Sequence, residues 1–246
     1  MLQKISANKI ALIKRMQLST PTLVDILDSL GKTIVLNSQL KSINLENFYS
    51  VGQAYTVQWK LIRKQKSILN KQPSTWEQVS SFLVPEITDA KGLFYIAGGH
   101  ELITEAALAG GMSCTYFEKL GFEGVILGGA VRDKKDLTNL TIPVIATNLT
   151  PTDTQGAYFV SETGTQCTIE HATICSGDLV ISDPNGTVII PFSLVDNVLE
   201  EAIKIDSIEN NMLEKIKHGQ RLPELINITG RCLLYTSDAA DDEYNV

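Results

Sequence analysis

Apolar residues along the chain alternate between helical and strand spacing, which predicts a mixed α/β organisation. A helical spacing over residues 10–18 leads into a second helix that begins at a cap, Ser19 or Thr20, with Pro21 in its first turn and Gly31 after its end. Three further helical regions are predicted: Trp76–Leu83, Met112–Leu120 and Pro191–Lys217, the last as one helix or two.

Short apolar runs bounded by glycine and turn residues predict the strands. In chain order these are Leu45–Trp59, Gly92–Ala97, Val125–Leu127, Ile142–Ala146, Tyr158–Val160, Thr168–Ile174, Leu179–Ser182 and Thr187–Ile190. Strands follow one another closely beyond Pro151, so we expect a β-rich second half followed by C-terminal helices. The polar stretch Lys60–Ser74 is predicted to be a loop or an insertion.

Composition narrows the class of protein. The chain has 246 residues, 43% of them hydrophobic, and its formal net charge of −7 argues against a nucleic-acid partner. The basic stretch Lys60–Lys66 is the exception, read as a solvated segment or a local anion site. There is no apolar run of about 18 residues, so no membrane span is expected. Without a secretory leader pattern, we expect a cytoplasmic location.

The last residues do not continue the preceding pattern. Residues 232–246 resemble the translation of a sequencing adaptor, and we expect them to be a non-native tail. Residues 1–231 are then expected to form a single domain, with the native C-terminus beyond residue 231 missing.

Most conventional catalytic motifs are absent from the sequence. It contains no phosphate loop, no dinucleotide-binding glycine pattern and no metal-binding H-E-x-x-H or C-x-x-C. His171 and His218 are expected to be exposed or hydrogen-bonded, whereas His100 follows two glycines and stays open as a site residue. Ser113 and Cys114 have no neighbouring base, so nucleophilic catalysis is not supported.

The apolar run Gly124–Val131 ends on a cation and an anion, Arg132 and Asp133. Ligands of open α/β sheets bind at strand ends, where a guanidinium can hold a carboxylate or keto oxygen and a carboxylate can hold a hard metal ion. The alternative is a surface ion pair.

The pair Gly110-Gly111 opens the helix predicted from Met112. Free N–H groups in a first helical turn bind carboxylates, and glycines at this place equally serve close packing of a helix against a sheet. Both interpretations stay open from the sequence.

Several segments, in this order, resemble the regulator of ribonuclease activity A (RraA)-like family, which includes the 4-hydroxy-4-methyl-2-oxoglutarate aldolases, class II pyruvate aldolases. The matching segments are Ser19–Leu27, Gly52–Val57, Gly121–Asp133, Ile142–Ala146 and Gly177–Pro191. The resemblance implies a swivelling-domain-like layered α/β/α fold, assembled as a homotrimer or hexamer with sites at subunit boundaries.

The resemblance also implies roles for particular residues. Arg132 would contact the pyruvyl group as the catalytic residue, and Asp133 would help to bind a divalent metal, most often Mg²⁺. Backbone amides at the helix start, at Gly111, Met112 and Ser113, would hold the substrate carboxylate. Glu209 of a neighbouring subunit would approach the metal through water.

The implied activity is that of a metal-dependent lyase. It would cleave 4-hydroxy-4-methyl-2-oxoglutarate-type 2-oxo acids to pyruvate, with oxaloacetate decarboxylation as a companion activity, or act on a substrate outside the known set. The alternative is a non-catalytic ring that binds a ribonuclease. The presence of Asp133 argues against this alternative, because the ribonuclease-regulating member has lost that residue.

One position departs from the aldolase pattern. The aldolases carry an aspartate that positions a water for proton transfer at the place of Gly111. Three nearby residues are alternatives for this role: His100, Glu101 and Glu105.

Overall fold

A computed structural model of the chain describes residues 3–62 and 73–229. Most of the predicted loop at Lys60–Ser74 and the whole tail at 232–246 lie outside the described residues. The helices are α1 (Ala7–Met16), α2 (Thr20–Ser29), α3 (Trp76–Val79), α4 (Gly111–Leu120), α5 (Lys134–Leu137), α6 (Val195–Lys217) and α7 (Leu222–Thr229). Short 3-10 turns at Ser80–Leu83 and Phe192–Leu194 follow α3 and precede α6.

Local signals placed the longer helices correctly. Ser19 is the N-cap of α2, and Gly31 follows its end with a φ of 60°. Gly121 ends α4 in the left-handed conformation, with a φ of 98° that favours glycine. The region Pro191–Lys217 forms one long helix after its 3-10 turn, and α7 was not predicted.

The strands form one large sheet and two small ones. They are β1 (Lys41–Ser42), β2 (Ser50–Leu61), β3 (Leu93–Gly98), β4 (Ile103–Ala109), β5 (Gly124–Leu127), β6 (Gly129–Val131), β7 (Val144–Ala146), β8 (Tyr158–Thr163), β9 (Gln166–Ile169), β10 (Ala172–Cys175), β11 (Leu179–Asp183) and β12 (Gly186–Ile190). The large sheet has the order β1-β7-β5-β3-β2-β11-β12, with β8 also paired to β2. The small sheets are the β9–β10 hairpin and the parallel pair β4–β6.

Strand β2 organises the large sheet. One edge pairs in parallel with β3, and the other pairs antiparallel with β11 and then with β8, in a pairing whose register shifts between Gln58 and Trp59. All of β2 from Ser50 to Trp59 is buried, as expected for a strand covered on both faces.

Some strand predictions were wrong. The predicted strand Thr168–Ile174 is a hairpin of two strands, because Glu170 adopts a positive φ of 51° and reverses the chain. Strands β1 and β4 were not predicted, and β2 begins at Ser50 rather than Leu45.

Residues on the two faces of the sheet pack into different layers. Along β3, Tyr95 and Ala97 join the core beside α4, whereas Phe94 and Ile96 pack with the β9–β10 hairpin. Tyr95 stacks on Phe117 of α4 with ring centroids 4.1 Å apart. A third cluster joins α1, α2 and α6 to β11 and β12. The α/β class with a β-rich second half and C-terminal helices is therefore confirmed.

In the two described ranges, no helix combines the length and the apolar character needed to cross a membrane.

Candidate functional site

The candidate site lies where β4 and β6 end. The two strands are parallel, with Ala109 opposite Val131, so their carboxyl ends lie side by side. Gly110 follows β4 and opens α4, while Arg132 follows β6 and donates its backbone N–H to Ala109 at 3.2 Å. The fold thus brings the predicted Arg-Asp pair to the start of the predicted helix.

Asp133 links the two elements through its side chain. Its Oδ2 accepts a hydrogen bond from the Gly111 N–H at 3.0 Å. The residue has a φ of 67° and a ψ of 48°, a left-handed conformation that aspartate tolerates better than most residues do. This backbone turn directs the carboxylate back to the first turn of α4.

The glycine pair permits this close approach. A Cβ on Gly110 would lie 2.5 Å from Asp133 Oδ2 and 2.9 Å from Arg132 Cγ. Gly110 therefore allows the side chains of Arg132 and Asp133 to approach the start of α4; the interpretation that the glycines serve packing of a helix against a sheet stays a prediction. Carboxylate binding by the neighbouring amides stays a prediction.

Arg132 lies between two carboxylates. Its Nε is 3.7 Å from Asp133 Oδ2 and its Nη1 is 3.5 Å from Asp153 Oδ2, with the arginine side chain 40% exposed. Such solvent-screened pairs contribute little to stability, which leaves the guanidinium available to a ligand. Arg132 and Asp133 thus do form an ion pair, as the alternative interpretation predicted, but the pair lines a cavity.

Sequence reasoning missed Asp153. Its Oδ1 accepts the N–H of Gln155 at 2.9 Å, which fixes the turn, and its other oxygen faces Arg132. The sequence around Asp153 shows only a turn-forming stretch after Pro151. An aspartate in such a turn ordinarily bonds its own backbone, so the pattern did not indicate a site residue.

The first turn of α4 has no N-cap side chain, because the capping residue is Gly110. The amides of Met112 and Ser113 therefore have no N-cap side chain as a hydrogen-bond acceptor. A helix start that binds a carboxylate needs amides that no capping side chain occupies. The Ser113 hydroxyl accepts from the Gly110 N–H at 2.9 Å and donates to the Gly110 carbonyl at 3.0 Å. It closes the turn and is not poised as a nucleophile.

Cys114 also has no catalytic character. Its side chain is fully buried, and burial, with a smaller contribution from the Asp133 carboxylate, raises the pKa of the thiol to about 12. A thiol rather than a thiolate is present at neutral pH, so the lack of support for nucleophilic catalysis agrees with the structure.

A cavity of about 750 Å³ joins these groups. Charged and polar groups that line it belong to Gly110, Ser113, Arg132, Asp133 and Asp153, and apolar side chains of α3, the following 3-10 turn and α4 line it as well. The volume is in the range of small-molecule sites, about 300–1,000 Å³.

Gly111 is absent from the lining of this cavity. A Cβ on Gly111 would lie 2.5 Å from Asp136 Cβ and 2.7 Å from Asp136 Oδ2. The space that a side chain at position 111 would enter is therefore filled by a carboxylate from α5.

The proposed replacements for the missing aspartate do not reach the cavity. His100, Glu101 and Glu105 are absent from its lining, and Glu105 accepts a hydrogen bond from the Tyr158 hydroxyl. His171 and His218 are exposed and contact backbone carbonyls, as expected.

Glu209 lies on α6, away from the cavity lining. Its carboxylate accepts a hydrogen bond from the Thr22 hydroxyl of the same chain at 3.4 Å. Its predicted approach to a metal in a neighbouring subunit stays a prediction. Over residues 3–62 and 73–229, no group of three or more His, Cys, Asp or Glu side chains is arranged to hold a metal ion.

Comparison with known families decides the classification. The RraA-like family model, described as Aldolase/RraA, matches residues 20–189, which is more than half of the chain. The chain belongs to the RraA-like family. The family resemblance carried by Gly121–Asp133 and the other matching segments is thereby confirmed.

Two curated relatives of this RraA-like chain are similar over more than half of its length. An uncharacterised protein, MJ0644 of Methanocaldococcus jannaschii, is 29% identical over 150 residues, which are 59% of this chain and 70% of that protein. Protein DlpA of Legionella pneumophila is 24% identical over 174 residues, 71% of this chain but only 26% of DlpA. The chain thus corresponds to about a quarter of that longer protein.

Solved structures show the same fold. An uncharacterised Pseudomonas syringae protein superposes with a TM-score of 0.74 at 21% identity, covering 92% of this chain and 95% of that one. RraAS2 of Streptomyces coelicolor, described as an unusual member of the RNase ES inhibitor RraA protein family, gives 0.71 at 20% identity and covers 86% and 100%. These likenesses confirm the fold class expected from the family resemblance.

Proposed function

We propose that this RraA-like chain is a divalent-metal-dependent lyase that acts on 2-oxo acids by aldol cleavage or decarboxylation. The observation that carries the proposal is the shared cavity. Arg132 and Asp133 line the same cavity as Met112 and Ser113, which lie in the first turn of a helix that has no N-cap side chain. A guanidinium, a carboxylate and free amides together match the keto and carboxylate oxygens of a 2-oxo acid.

The residues present fit a weakly held divalent metal. Asp133 uses Oδ2 for the Gly111 amide, and its carboxylate lines the cavity. Mg²⁺ is commonly held by one or two carboxylates together with substrate oxygens and water, so a closed protein cage is not needed. When bound at Asp133, the metal supplies Lewis-acid stabilisation of negative charge on the pyruvyl oxygens.

The protein groups have separate tasks in this proposal. The amides of Met112 and Ser113 bind the substrate carboxylate, and Arg132 donates to the keto oxygen. As the C3–C4 bond breaks, its electron pair moves into the pyruvyl unit, and the guanidinium stabilises the resulting enolate charge. Asp153 orients Arg132 through the contact at 3.5 Å.

We propose that Asp136 transfers the proton through a bridging water, because Asp136, like His100, Glu101 and Glu105, is absent from the cavity lining and is favoured over them by its place beside Gly111. Its carboxylate fills the space that a side chain at position 111 would enter, and position 111 is where the aldolases of this family carry their water-positioning aspartate. Asp136 lies on α5 and is exposed, so a water between it and the substrate is accessible to solvent. We expect Asp136→Asn to lower kcat by about 10²–10⁴-fold, the usual contribution of general acid–base catalysis.

The test is pyruvate release from oxaloacetate and from 4-hydroxy-4-methyl-2-oxoglutarate, with Mg²⁺ and with a chelator. We expect metal-dependent release that falls by about 10²–10³-fold in Arg132→Ala, comparable to losing one preorganised donor to a developing oxyanion. The matched control is Arg221→Ala, which removes an exposed arginine outside the cavity. Full activity in Arg132→Ala, or no metal-dependent release from either substrate, contradicts the proposal.

The second candidate function is non-catalytic binding of a ribonuclease. It is favoured by the similarity to RraAS2, which is described as a member of an RNase ES inhibitor family. A pull-down with an RNase E-type enzyme tests it, and a complex formed by both the parent and Arg132→Ala would support it. The predicted homotrimer or hexamer, with Glu209 near the metal of its neighbour, is tested by light scattering and by Glu209→Gln kinetics.

A further inference from the structure

The cavity that contains Arg132 continues into an apolar wall that the proposed reaction does not use. The wall is contributed by α3, its 3-10 turn and one face of α4, through Trp76, Val79, Phe82, Leu83, Met112 and Tyr116. Met112 and Tyr116 are four residues apart and so lie on the same helix face. Three of these residues are solvent-exposed: Trp76 by 56%, Met112 by 87% and Tyr116 by 39%.

Aromatic contacts anchor this apolar wall in the core. Trp76 meets Phe82 edge-on with ring centroids 6.4 Å apart, and Phe82 in turn meets Phe117 edge-on at 6.5 Å. Phe117 is fully buried. Edge-to-face pairs at these distances are favourable, so the wall is a built surface rather than a set of loose side chains.

The charges in the cavity favour a substrate with one carboxylate over a substrate with two. Among the described residues that line it, Arg132 is the one cation, and Asp133 and Asp153 are both anions. A second carboxylate at the far end of a substrate would lie against the apolar wall, lose its hydration and find no cation. The wall instead favours an apolar group of phenyl or branched-alkyl size.

We propose that the substrate is a monocarboxylate 2-oxo acid with an apolar arm that packs on Trp76, Phe82 and Tyr116. This inference rests on the proposed lyase function and narrows its substrate class. In 4-hydroxy-2-oxo-4-phenylbutanoate the C3–C4 bond breaks, the C4 hydroxyl loses its proton to a base, and C4 leaves as benzaldehyde. The electron pair stays on C3 as the pyruvate enolate, which takes one proton to give pyruvate, so atoms and electrons balance without a co-reactant.

The kinetic test compares two substrates that differ at the far end. We expect kcat/KM with Mg²⁺ to be at least about tenfold higher for 4-hydroxy-2-oxo-4-phenylbutanoate than for the dicarboxylate 4-hydroxy-4-methyl-2-oxoglutarate. Trp76→Ala should lower this ratio by about tenfold, because it removes part of the apolar contact. The control is Leu213→Ala, an exposed apolar residue on α6 outside the cavity, which should leave the ratio unchanged.

A binding measurement separates this inference from the proposed reaction. Trp59 and Trp76 are the two tryptophans, so Trp59→Phe leaves Trp76 as the single fluorescent reporter at the cavity. We expect phenylpyruvate to change its emission and to bind at least about tenfold more tightly than 2-oxoglutarate, both with Mg²⁺.

Each outcome decides one of the two claims. Tight binding of phenylpyruvate with no cleavage of any substrate supports the apolar arm and refutes the lyase. Cleavage with equal or better kcat/KM for the dicarboxylate refutes the apolar arm and leaves the lyase. If Trp76 emission changes with protein concentration but not with added phenylpyruvate, a second copy of the chain covers the apolar wall. That result also refutes the proposal of an apolar arm.

Discussion

Gly111→Ala is the most direct test of how the candidate site is packed. The added Cβ would lie 2.5 Å from Asp136 Cβ, 2.7 Å from its Oδ2 and 3.0 Å from its Cγ. Because the nearest atom is Cβ, rotation of the Asp136 side chain cannot relieve the contact, and α5 itself must move. Non-bonded carbons prefer separations of about 3.5–4.0 Å, so the required shift is about 1 Å.

The expected size of the effect follows from this shift. Overpacking by one methyl group typically costs about 1–3 kcal/mol. Alanine is favoured over glycine in a helix by up to about 1 kcal/mol, which offsets part of that cost. We therefore expect the free energy of unfolding to fall by about 1–2 kcal/mol, measured by urea denaturation with far-ultraviolet circular dichroism.

Two variants of Asp136 form a matched pair for this experiment. Asp136→Gly removes the three atoms nearest to the new Cβ, whereas Asp136→Ala keeps the nearest of them. In double-mutant cycles with Gly111→Ala, we expect a coupling of about 1–2 kcal/mol for the glycine variant and nearly none for the alanine variant. Equal coupling in both cycles, or a Gly111→Ala protein as stable as the parent, would refute the reasoning.

Two further predictions concern a buried indole and an exposed thiol. Trp59 is fully buried, and within the described ranges its Nε1 has no hydrogen-bond acceptor. Trp59→Phe removes this unsatisfied donor, whose burial costs about 1–3 kcal/mol, and this gain offsets the packing that is lost. We therefore expect the free energy of unfolding to change by less than about 1.5 kcal/mol. A loss above about 3 kcal/mol would contradict this expectation. Cys175 is exposed whereas Cys114 and Cys167 are buried, so iodoacetamide followed by peptide mapping should modify Cys175 alone of these three in the native protein. Burial raises the pKa of Cys175 above its ordinary 9.0, so its rate should still be increasing as the pH passes 9, and a plateau below pH 9 refutes the assignment.

The parts of the fold that could be predicted are those with local causes. The cap at Ser19 and the left-handed Gly121 mark helix ends through the chemistry of a few neighbouring residues. Strand β4 had no such mark, because three of its seven residues are alanine, which is depleted in strands. It forms through its pairing with β6 and the hydrogen bond from the Ala107 N–H to Thr152 at 2.8 Å, contacts that no local pattern contains.

The candidate site divides in the same way. Arg132, Asp133 and the start of α4 were predicted because a strand tip and a glycine-led helix are visible in a short stretch of sequence. Asp153 and the apolar wall were not, since Trp76 and Asp153 are far from Arg132 along the chain and meet it only in the folded protein. The filling of the space at Gly111 by Asp136 likewise depends on how α5 packs against α4.

The central position of β2 has a consequence for synthesis of the chain on the ribosome. Ten consecutive residues of β2, Ser50–Trp59, are buried, and one edge pairs with β11, which begins only at Leu179. At about 5–20 residues per second, that partner is made roughly 6–24 s after β2. During this interval a long strand that is buried in the folded protein presents unpaired backbone groups along one edge, and such edges are prone to aggregation. We expect the nascent chain to depend on chaperones until β11 emerges, and its soluble yield to rise when translation beyond residue 61 is accelerated.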